Sequence, residues 1–598
     1  MKRLALLKRI LSAACASIAM SLIANSSALA VFTDVSTSIF TGSPSGVNFE
    51  SRSASLADID DDGDLDLFFQ GSGSDQRLYR NNIIGTGTLS YTNASSMLPT
   101  GLSSSWSAAW SDYDGDGKVD VFVGQSNNIN SNSSDVLRNN GSSFSNESSA
   151  IGLNDPGFHQ NVAWADIDNN HRLDLLIGME EQIAKNEIYL QDSAGHFAPV
   201  GASVGFQAAY GYKAYGMAIG DTDGDGDLDV YISTCIGSGI IRNNFFKNKL
   251  VESGTNTLSF EDIADTNGTQ FTANSYGAEF VDMDDDSDLD LFMVGADGRP
   301  SKIFRNDGGN MFTDVDLLPS RIGQPLLTDT GGDLNGGKAV DYDNDGDLDL
   351  FFHDHWAANG KNYARKLYRN DGNWVFTDVT VAQGINQTAR GAYDSVWGDL
   401  DRDGDQDLIA PTDGSFIERV FLNDASTNGN HWLCVNLAGP SYNTTGLGAS
   451  LYATINDGTL EERTLRREAN TNAGTFNQSD LPVHFGLGAV GLIDQLRIEW
   501  PDGSSQNLFN VSVDQYLTVH YLPGDYSGNG IVDAADYVFW RKGFGTTYTQ
   551  ADYDVWRSHF GQSLAGSGLG AGAAVPEPAS ALLILATGIA ALATSRRR

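Results

Sequence analysis

Asp112, Asp114, Asp116 and Asp120 stand at positions 1, 3, 5 and 9 of the stretch DYDGDGKVD. That spacing turns alternate side-chain oxygens toward one point. Gly117 at position 6 allows the positive φ of a tight turn. The backbone carbonyl of Lys118, at position 7, can join the carboxylates. Six or more hard oxygen ligands carrying several negative charges are what Ca²⁺ takes.

The chain carries seven versions of this loop. Four more copies keep every expected aspartate and the glycine. They are Asp58, Asp60, Asp62, Asp64 and Asp66; Asp221, Asp223, Asp225, Asp227 and Asp229; Asp341, Asp343, Asp345, Asp347 and Asp349; and Asp399, Asp401, Asp403, Asp405 and Asp407. The fifth loop in chain order, with Asp282, Asp284, Asp286, Asp288 and Asp290, has Ser287 at the turn. The third keeps Asp166, Asp168 and Asp174 but has Asn170 for an aspartate and His171 for the glycine. A non-glycine residue in that turn costs about 1 kcal/mol. The third site is therefore predicted to be the weakest or to hold no ion.

Charge sets the class of partner. Over 598 residues, 77 acidic side chains outnumber 37 basic ones, for a formal net charge of −40. A field of that sign repels nucleic acid and anionic lipid. The aspartate spacing points to a chain whose carboxylates are largely neutralised by cations. Of three cysteines, Cys15 lies in the leader, and Cys235 and Cys434 are far apart. Two unpaired thiols are expected over a disulfide.

The loops are spaced 54, 54, 55, 61, 59 and 58 residues apart. A short run of small and apolar residues precedes each, and an alternating or apolar run such as LDLFF or VDVFVG follows. Period-two segments on both sides of a turn read as a β-hairpin with the loop at its tip. A third segment recurs, as in Leu78-Tyr79-Arg80-Asn81 and Leu367-Tyr368-Arg369-Asn370. A fourth follows, as in Phe312-Thr313-Asp314-Val315. Four strands per repeat at this period make a β-propeller blade. The seventh repeat lacks its fourth segment, but Phe32-Thr33-Asp34-Val35 supplies one near the N-terminus. That strand is predicted to complete the last blade and close the ring, removing an exposed sheet edge.

Loops of the form DxDxDGxxD between short strands resemble FG-GAP/VCBS repeats, which integrin α-chain propellers also contain. The resemblance implies a seven-bladed propeller with calcium in its hairpin loops. Residues 430–522 read as a small β domain. His431-Trp432-Leu433, Gly446-Leu447-Gly448-Ala449, His484-Phe485-Gly486-Leu487-Gly488, Trp500-Pro501-Asp502-Gly503 and Asp514-Gln515 make it similar to the ASPIC/UnbV domain of cartilage-acidic-protein relatives.

In residues 523–562, Asp525, Ser527, Asn529, Ile531, Asp533 and Asp536 fit positions 1, 3, 5, 7, 9 and 12 of an EF-hand-like loop. The following DYVFWRKGFG recurs as DYDVWRSHFG, so the segment resembles a dockerin type I module. A second loop would have to begin at Arg541, which leaves one calcium site and argues for a structural stalk over a cohesin partner. About five to eight calcium sites are expected in all.

The ends carry sorting signals. In residues 1–30, Lys2, Arg3, Lys8 and Arg9 precede an apolar run and Ala28-Leu29-Ala30, as in a secretory signal peptide. A Gly/Ala/Ser linker (563–574) leads to Val575-Pro576-Glu577-Pro578, an apolar run and Arg596-Arg597-Arg598. Residues 575–598 resemble a PEP-CTERM sorting signal. That implies a transient inner-membrane anchor, processing by an exosortase, and release to the cell surface or extracellular matrix of a bacterium.

The expected fold is all-β: a seven-bladed β-propeller (31–428), a small β domain, a short helical calcium-loop module and a C-terminal transmembrane sorting helix. No Gly-x-Ser-x-Gly or His-Glu-x-x-His pattern occurs. His353-Asp354-His355 is the best acid–base candidate, and a polar blade position explains it better. His484 reads as structural. The expected function is a non-catalytic, calcium-binding surface or matrix protein that mediates adhesion to a protein or polysaccharide. A purely structural matrix component and a glycan-cleaving enzyme are the alternatives.

Overall fold

The small and apolar run before each loop forms a strand, and in the computed structural model these strands stand side by side around one axis. They are Ser51–Ala57, Ser105–Ser111, His159–Ala165, Lys213–Gly220, Ser275–Val281, Leu334–Val340 and Val396–Gly398. The structure describes residues 32–563 except 42–50, 72–75, 103, 126–133, 154–156, 158, 180–185, 208–212, 236–241, 252, 255–256, 297–298, 319–333, 355–364, 387–393, 413–416, 471–477, 529 and 546–547. The predicted signal peptide, nearly all of the linker and the sorting helix lie outside these residues. Among the described residues no helix is long and apolar enough to cross a membrane.

Each inner strand opens an antiparallel four-stranded sheet, giving seven blades. Six are built from consecutive strands. In the seventh, Thr33 and Asp34 pair with Leu422 and Phe421, so the N-terminal strand completes the blade as the sequence predicts. The Arg419 guanidinium bonds the Asp34 carboxylate at 2.7 Å across that seam. Phe32 is buried there, its ring 6.2 Å from Tyr342 and 5.9 Å from Trp397. Apolar side chains fill the space between neighbouring sheets; Phe68, Trp110, Val121 and Leu137 meet between the first and second.

A polar contact repeats at the junctions. In six of the seven blades an Asn or Gln at or just after the end of the third strand sends its side-chain amide to a carbonyl of the preceding blade. Asn370 of the sixth stays with the Leu348 carbonyl of its own blade. Asn139 reaches Ile59 at 2.8 Å, Gln191 reaches Tyr113 at 2.9 Å, and Asn248 reaches Ile167 at 3.0 Å. Asn306 reaches Thr222 at 2.7 Å and Asn423 reaches Tyr342 at 2.6 Å. Each carbonyl that accepts across a junction belongs to the second residue of an aspartate loop. The amide thus satisfies a buried backbone group that would otherwise lack a partner.

After the ring, His431–Ala438 pairs with Val483–Gly488 and Gln515–His520 in a three-stranded sheet. Arg463–Glu468, Ser450–Ile455, Leu492–Glu499 and Ser505–Ser512 make a four-stranded one. Leu433, Val435, Leu451, Phe485 and Leu496 share one core with both sheets. Helices Ala534–Gly543 and Gln550–His559 then pack through Trp540 and Trp556. Cys235 and Cys434 are both buried, and no disulfide joins them.

Candidate metal centres and the domain seated on them

Every aspartate loop joins the first and second strands of its blade, so the tips emerge on one face of the ring. Two residues in each loop take positive φ, at positions 4 and 6: Asp61 and Gly63 at 56° and 93°, for instance. In the two loops without the glycine, His171 and Ser287 are held at 69° and 71°. The backbone curls around the first aspartate. Asp58 accepts the N–H groups of Asp62 at 3.1 Å and Gly63 at 2.8 Å, and Asp341 accepts those of Asp345 at 3.1 Å and Gly346 at 2.9 Å. The third loop keeps this shape, with Asp166 accepting from Asn170 at 2.9 Å and His171 at 2.7 Å.

The ninth-position aspartates do more than sequence reasoning assigned them. Asp66 accepts the Ile59 N–H at 3.0 Å and the Asn81 N–H at 2.8 Å, and so fixes the loop to the third strand. Asp290 and Asp349 make the same pair of bonds.

The carboxylates converge. One oxygen from each of Asp58, Asp60 and Asp62 lies within 4.8 Å of the others, as do those of Asp112, Asp114 and Asp120, of Asp166, Asp168 and Asp174, of Asp221, Asp223 and Asp225, and of Asp282, Asp284 and Asp290. Among the described residues, Asp60 Oδ1, Asp223 Oδ1, Asp343 Oδ1 and Asp401 Oδ1, all at the third loop position, are buried without a hydrogen-bond partner. Burial pushes Asp120 and Asp403 up to about 8, and Asp166 and Asp282 up to about 7. Orphaned hard oxygens beside carboxyls that burial makes reluctant to ionise fit a divalent cation, whose charge would favour the ionised form. The residues at positions 1, 3, 5 and 9 would hold Ca²⁺, which supplies charge neutralisation and rigidity there.

Sequence reasoning missed the cations of the third strands. Arg80 lies 3.1 Å from Asp60, Arg138 bonds Asp114 and lies 2.7 Å from Asp116, and Lys247 bonds Asp223. The signal was the basic residue before the recurrent Asn. These cations offset part of the charge from outside each loop.

In the helical module, Asp525 accepts the Gly530 N–H at 2.7 Å, the same bond from position 6 to position 1 as in the blades. Asp536 accepts from Ser527 at 2.8 Å and from Asp533 at 2.6 Å, and Asp533 caps the helix through the Ala535 N–H. Ile531 bridges to Ser563, and Asn529 lies outside the described residues.

The loop face is not bare. The strand Arg463–Glu468 lays three arginines on it. Arg463 Nε bonds Asp285 at 2.8 Å and Nη2 bonds Asp347. Arg466 donates to the Ser287 carbonyl at 2.8 Å, and Arg467 to that of Gly346 at 3.1 Å. Thr444 bonds the Asp112 carboxylate and Tyr516 that of Asp399, both at 2.5 Å. Residues of the small β domain also enter the ring: Gln478 accepts the Trp110 N–H at 2.6 Å and the Asp480 N–H reaches the Trp397 carbonyl at 3.3 Å. A Cβ on Gly404 would run into the Trp432 ring, so the seventh loop needs glycine for the approach as well as for the turn. Between the first, second and seventh loops and the domain a cleft of ≈ 810 Å³ remains, lined by Asp62, Asp116, Thr444 and Tyr516.

Two of the histidines singled out from the sequence make buried contacts. His484 is held neutral, its pKa lowered to about 4 by burial, and its Nε2 lies 3.1 Å from the Gly404 carbonyl, where it donates. His353 is buried with Nδ1 3.3 Å from the Ser395 hydroxyl; His355 lies outside the described residues.

Family models match in three places. The FG-GAP-like repeat matches residues 58–123, 112–177 and 341–410. ASPIC and UnbV matches 439–524, and the PEP-CTERM protein-sorting motif matches 574–598. The last marks an exported protein that is sorted at the cell envelope and processed by an exosortase. No curated protein sequence matches the chain. Among solved structures, BBS1N in complex with ARL6DN is similar at 11% identity and a TM-score of 0.37, covering 66% of this chain and 97% of its own. The Aleuria aurantia lectin in complex with Fucalpha1-6GlcNAc is similar at 10% identity and a TM-score of 0.31, covering 55% and 94%.

Proposed function

We propose that this chain, which carries FG-GAP-like repeats, an ASPIC and UnbV domain and a PEP-CTERM sorting motif, is a calcium-binding, non-catalytic adhesion protein of the cell surface or matrix. The observation that carries the calcium reading is the set of buried, unpartnered third-position oxygens within converging carboxylates. Extracellular calcium modules bind in the millimolar to submillimolar range, so ambient calcium would keep the loops filled. The ions would stiffen the hairpin tips and, through them, the seat of the small β domain. An N-terminal signal peptide would start export, and the C-terminal helix would anchor the chain briefly before exosortase processing.

The binding of a matrix protein or polysaccharide is supported by the acidic propeller scaffold together with the sorting motif that carries the chain to the cell envelope. The experiment is capture of matrix material by the mature protein with and without calcium, alongside thermal melts. Calcium should raise the melting temperature sharply and be required for capture. A chelated protein that melts unchanged ends the metal reading, and capture that ignores calcium ends the calcium-dependent one.

A further inference from the structure

The inner strands share a second periodic feature, at the end away from the aspartates. Pairing to the second strand skips one residue between Ser51 and Ser53, Ser105 and Ser107, His159 and Asn161, Ala214 and Gly216, Ser275 and Gly277, and Leu334 and Gly336. The skipped residues are Arg52, Trp106, Gln160, Tyr215, Tyr276 and Asn335, each six positions before the first aspartate of its loop. A bulge takes a side chain out of the pleat alternation and re-aims it. The same bulge in six successive blades puts one such backbone position per blade at a single level around the axis.

Arg52, Trp106, Tyr215 and Tyr276 are half-buried while the residues on either side of them are buried. They meet across neighbouring inner strands: the Arg52 guanidinium lies 4.2 Å over the Trp106 ring, and the Tyr215 and Tyr276 rings cross edge to face at 4.6 Å. At the rise of a strand this level is about 20 Å from the aspartate loops. The ASPIC and UnbV domain is seated on the aspartate end, so this ring belongs to the opposite end of the same strands.

We infer that the bulge ring is a binding platform for a neutral polysaccharide; this rests on the reading of the chain as a matrix-binding protein. A pyranose offers an apolar C–H face and a rim of hydroxyls. Trp106, Tyr215 and Tyr276 offer flat apolar faces with polar tips, and Arg52 offers donors, while Gln160 is buried behind them. None of the six residues is acidic, which disfavours a basic peptide. The net charge of −40 disfavours an acidic glycan, against which the ring sets a single cation already stacked on an indole.

The test uses the mature, calcium-loaded protein, with calorimetry and saturation-transfer NMR. The probes are neutral gluco-, manno- and xylo-hexasaccharides, hexagalacturonate and hexalysine. A neutral hexasaccharide should bind, and Trp106→Ala and Tyr276→Ala should each weaken it about tenfold or more. Trp106→Phe should keep most of the affinity, and Phe539→Ala, at an exposed aromatic of the helical module, all of it. Melting temperatures show which variants are folded; should Trp106→Ala misfold, Tyr215→Leu and Tyr276→Leu carry the test. Neutral probes that do not bind, that bind equally to every ring variant, or that lose to hexalysine overturn the platform. Should ring variants still capture matrix material as well as the parent does, and only with calcium, the platform fails while the calcium-dependent function stands.

Discussion

The side-chain amide of Asn81 donates to the main-chain carbonyl of Leu400 at 2.9 Å, joining the first blade to the seventh across 319 residues of sequence. Both groups are buried, and the same amide also reaches the Leu65 carbonyl at 3.3 Å. Removing the amide strands two carbonyls in a medium that cannot solvate them, at about 1–3 kcal/mol. Asn81→Ala and Asn306→Ala should therefore lower the denaturant midpoint, whereas Asn140→Ala, at an exposed position, should not. Equal midpoints for all three would mean that the recurrent Asn is not a staple.

The closing strand makes a second prediction. Thr33 and Asp34 contribute only a short pairing, but Phe32 is buried against Tyr342 and Trp397. Phe32→Ala should cost about 3–5 kcal/mol, and deletion of residues 31–36 at least as much. A melting temperature unchanged by the deletion would show that the ring does not depend on this seam.

Much of this was legible in the sequence because it is periodic. The aspartate loops and the four segments per repeat fix the blade, and the misplaced Phe32-Thr33-Asp34-Val35 reveals the closure. The inter-blade amides were half-legible: the Asn of Leu78-Tyr79-Arg80-Asn81 recurs, but its target is a carbonyl of another repeat, and main-chain acceptors leave no trace in side-chain spelling. The seat of the small β domain was not legible at all. Arg463, Arg466 and Arg467 read as an ordinary charged strand, because what they meet is set by how two units pack. The bulges escaped for a related reason, since a skipped residue looks like any other member of an alternating run.

The third loop offers a gain of affinity. His171 is held at a φ of 69° where the full-strength loops have glycine, although Asp166 still gathers the loop's N–H groups. Relief of about 1 kcal/mol of strain corresponds to roughly fivefold in affinity. His171→Gly should tighten the weakest calcium site by that factor, and Asn170→Asp should tighten it further by restoring a charge. Titration in which the parent third loop already binds tightest would contradict the ranking.

Glu418 should set a pH dependence far from the metal loops. It is fully buried, accepts the Thr412 N–H at 2.8 Å, and burial raises its pKa from 4.5 to about 8. A carboxyl that holds its proton more tightly when folded stabilises the fold at low pH. That contribution is complete below the unfolded value and is lost as pH rises through the folded one. Between about pH 4.5 and about pH 8 the parent should lose stability from this group, and Glu418→Gln should lose less. Denaturant midpoints at pH 5 and pH 8, with calcium saturating, measure the difference; parallel losses in both proteins would exclude the assignment.

The arginine seat and the calcium sites should be separable. Arg463 binds Asp285 and Asp347, which stand at positions 4 and 7 of their loops, and Arg466 and Arg467 take carbonyls at position 6. None of these atoms is among the carboxylate oxygens at positions 1, 3, 5 and 9 that converge on the ion. Cation and guanidinium therefore occupy different sides of the same loop and do not compete. Arg463→Ala should leave the calcium stoichiometry unchanged while weakening the hold of the domain, so that hydrogen exchange rises in Arg463–Glu468 and Val483–Gly488 and the melting temperature falls. If Arg463→Ala instead loses an equivalent of calcium, the guanidinium is part of the metal site and the two functions of these loops are one.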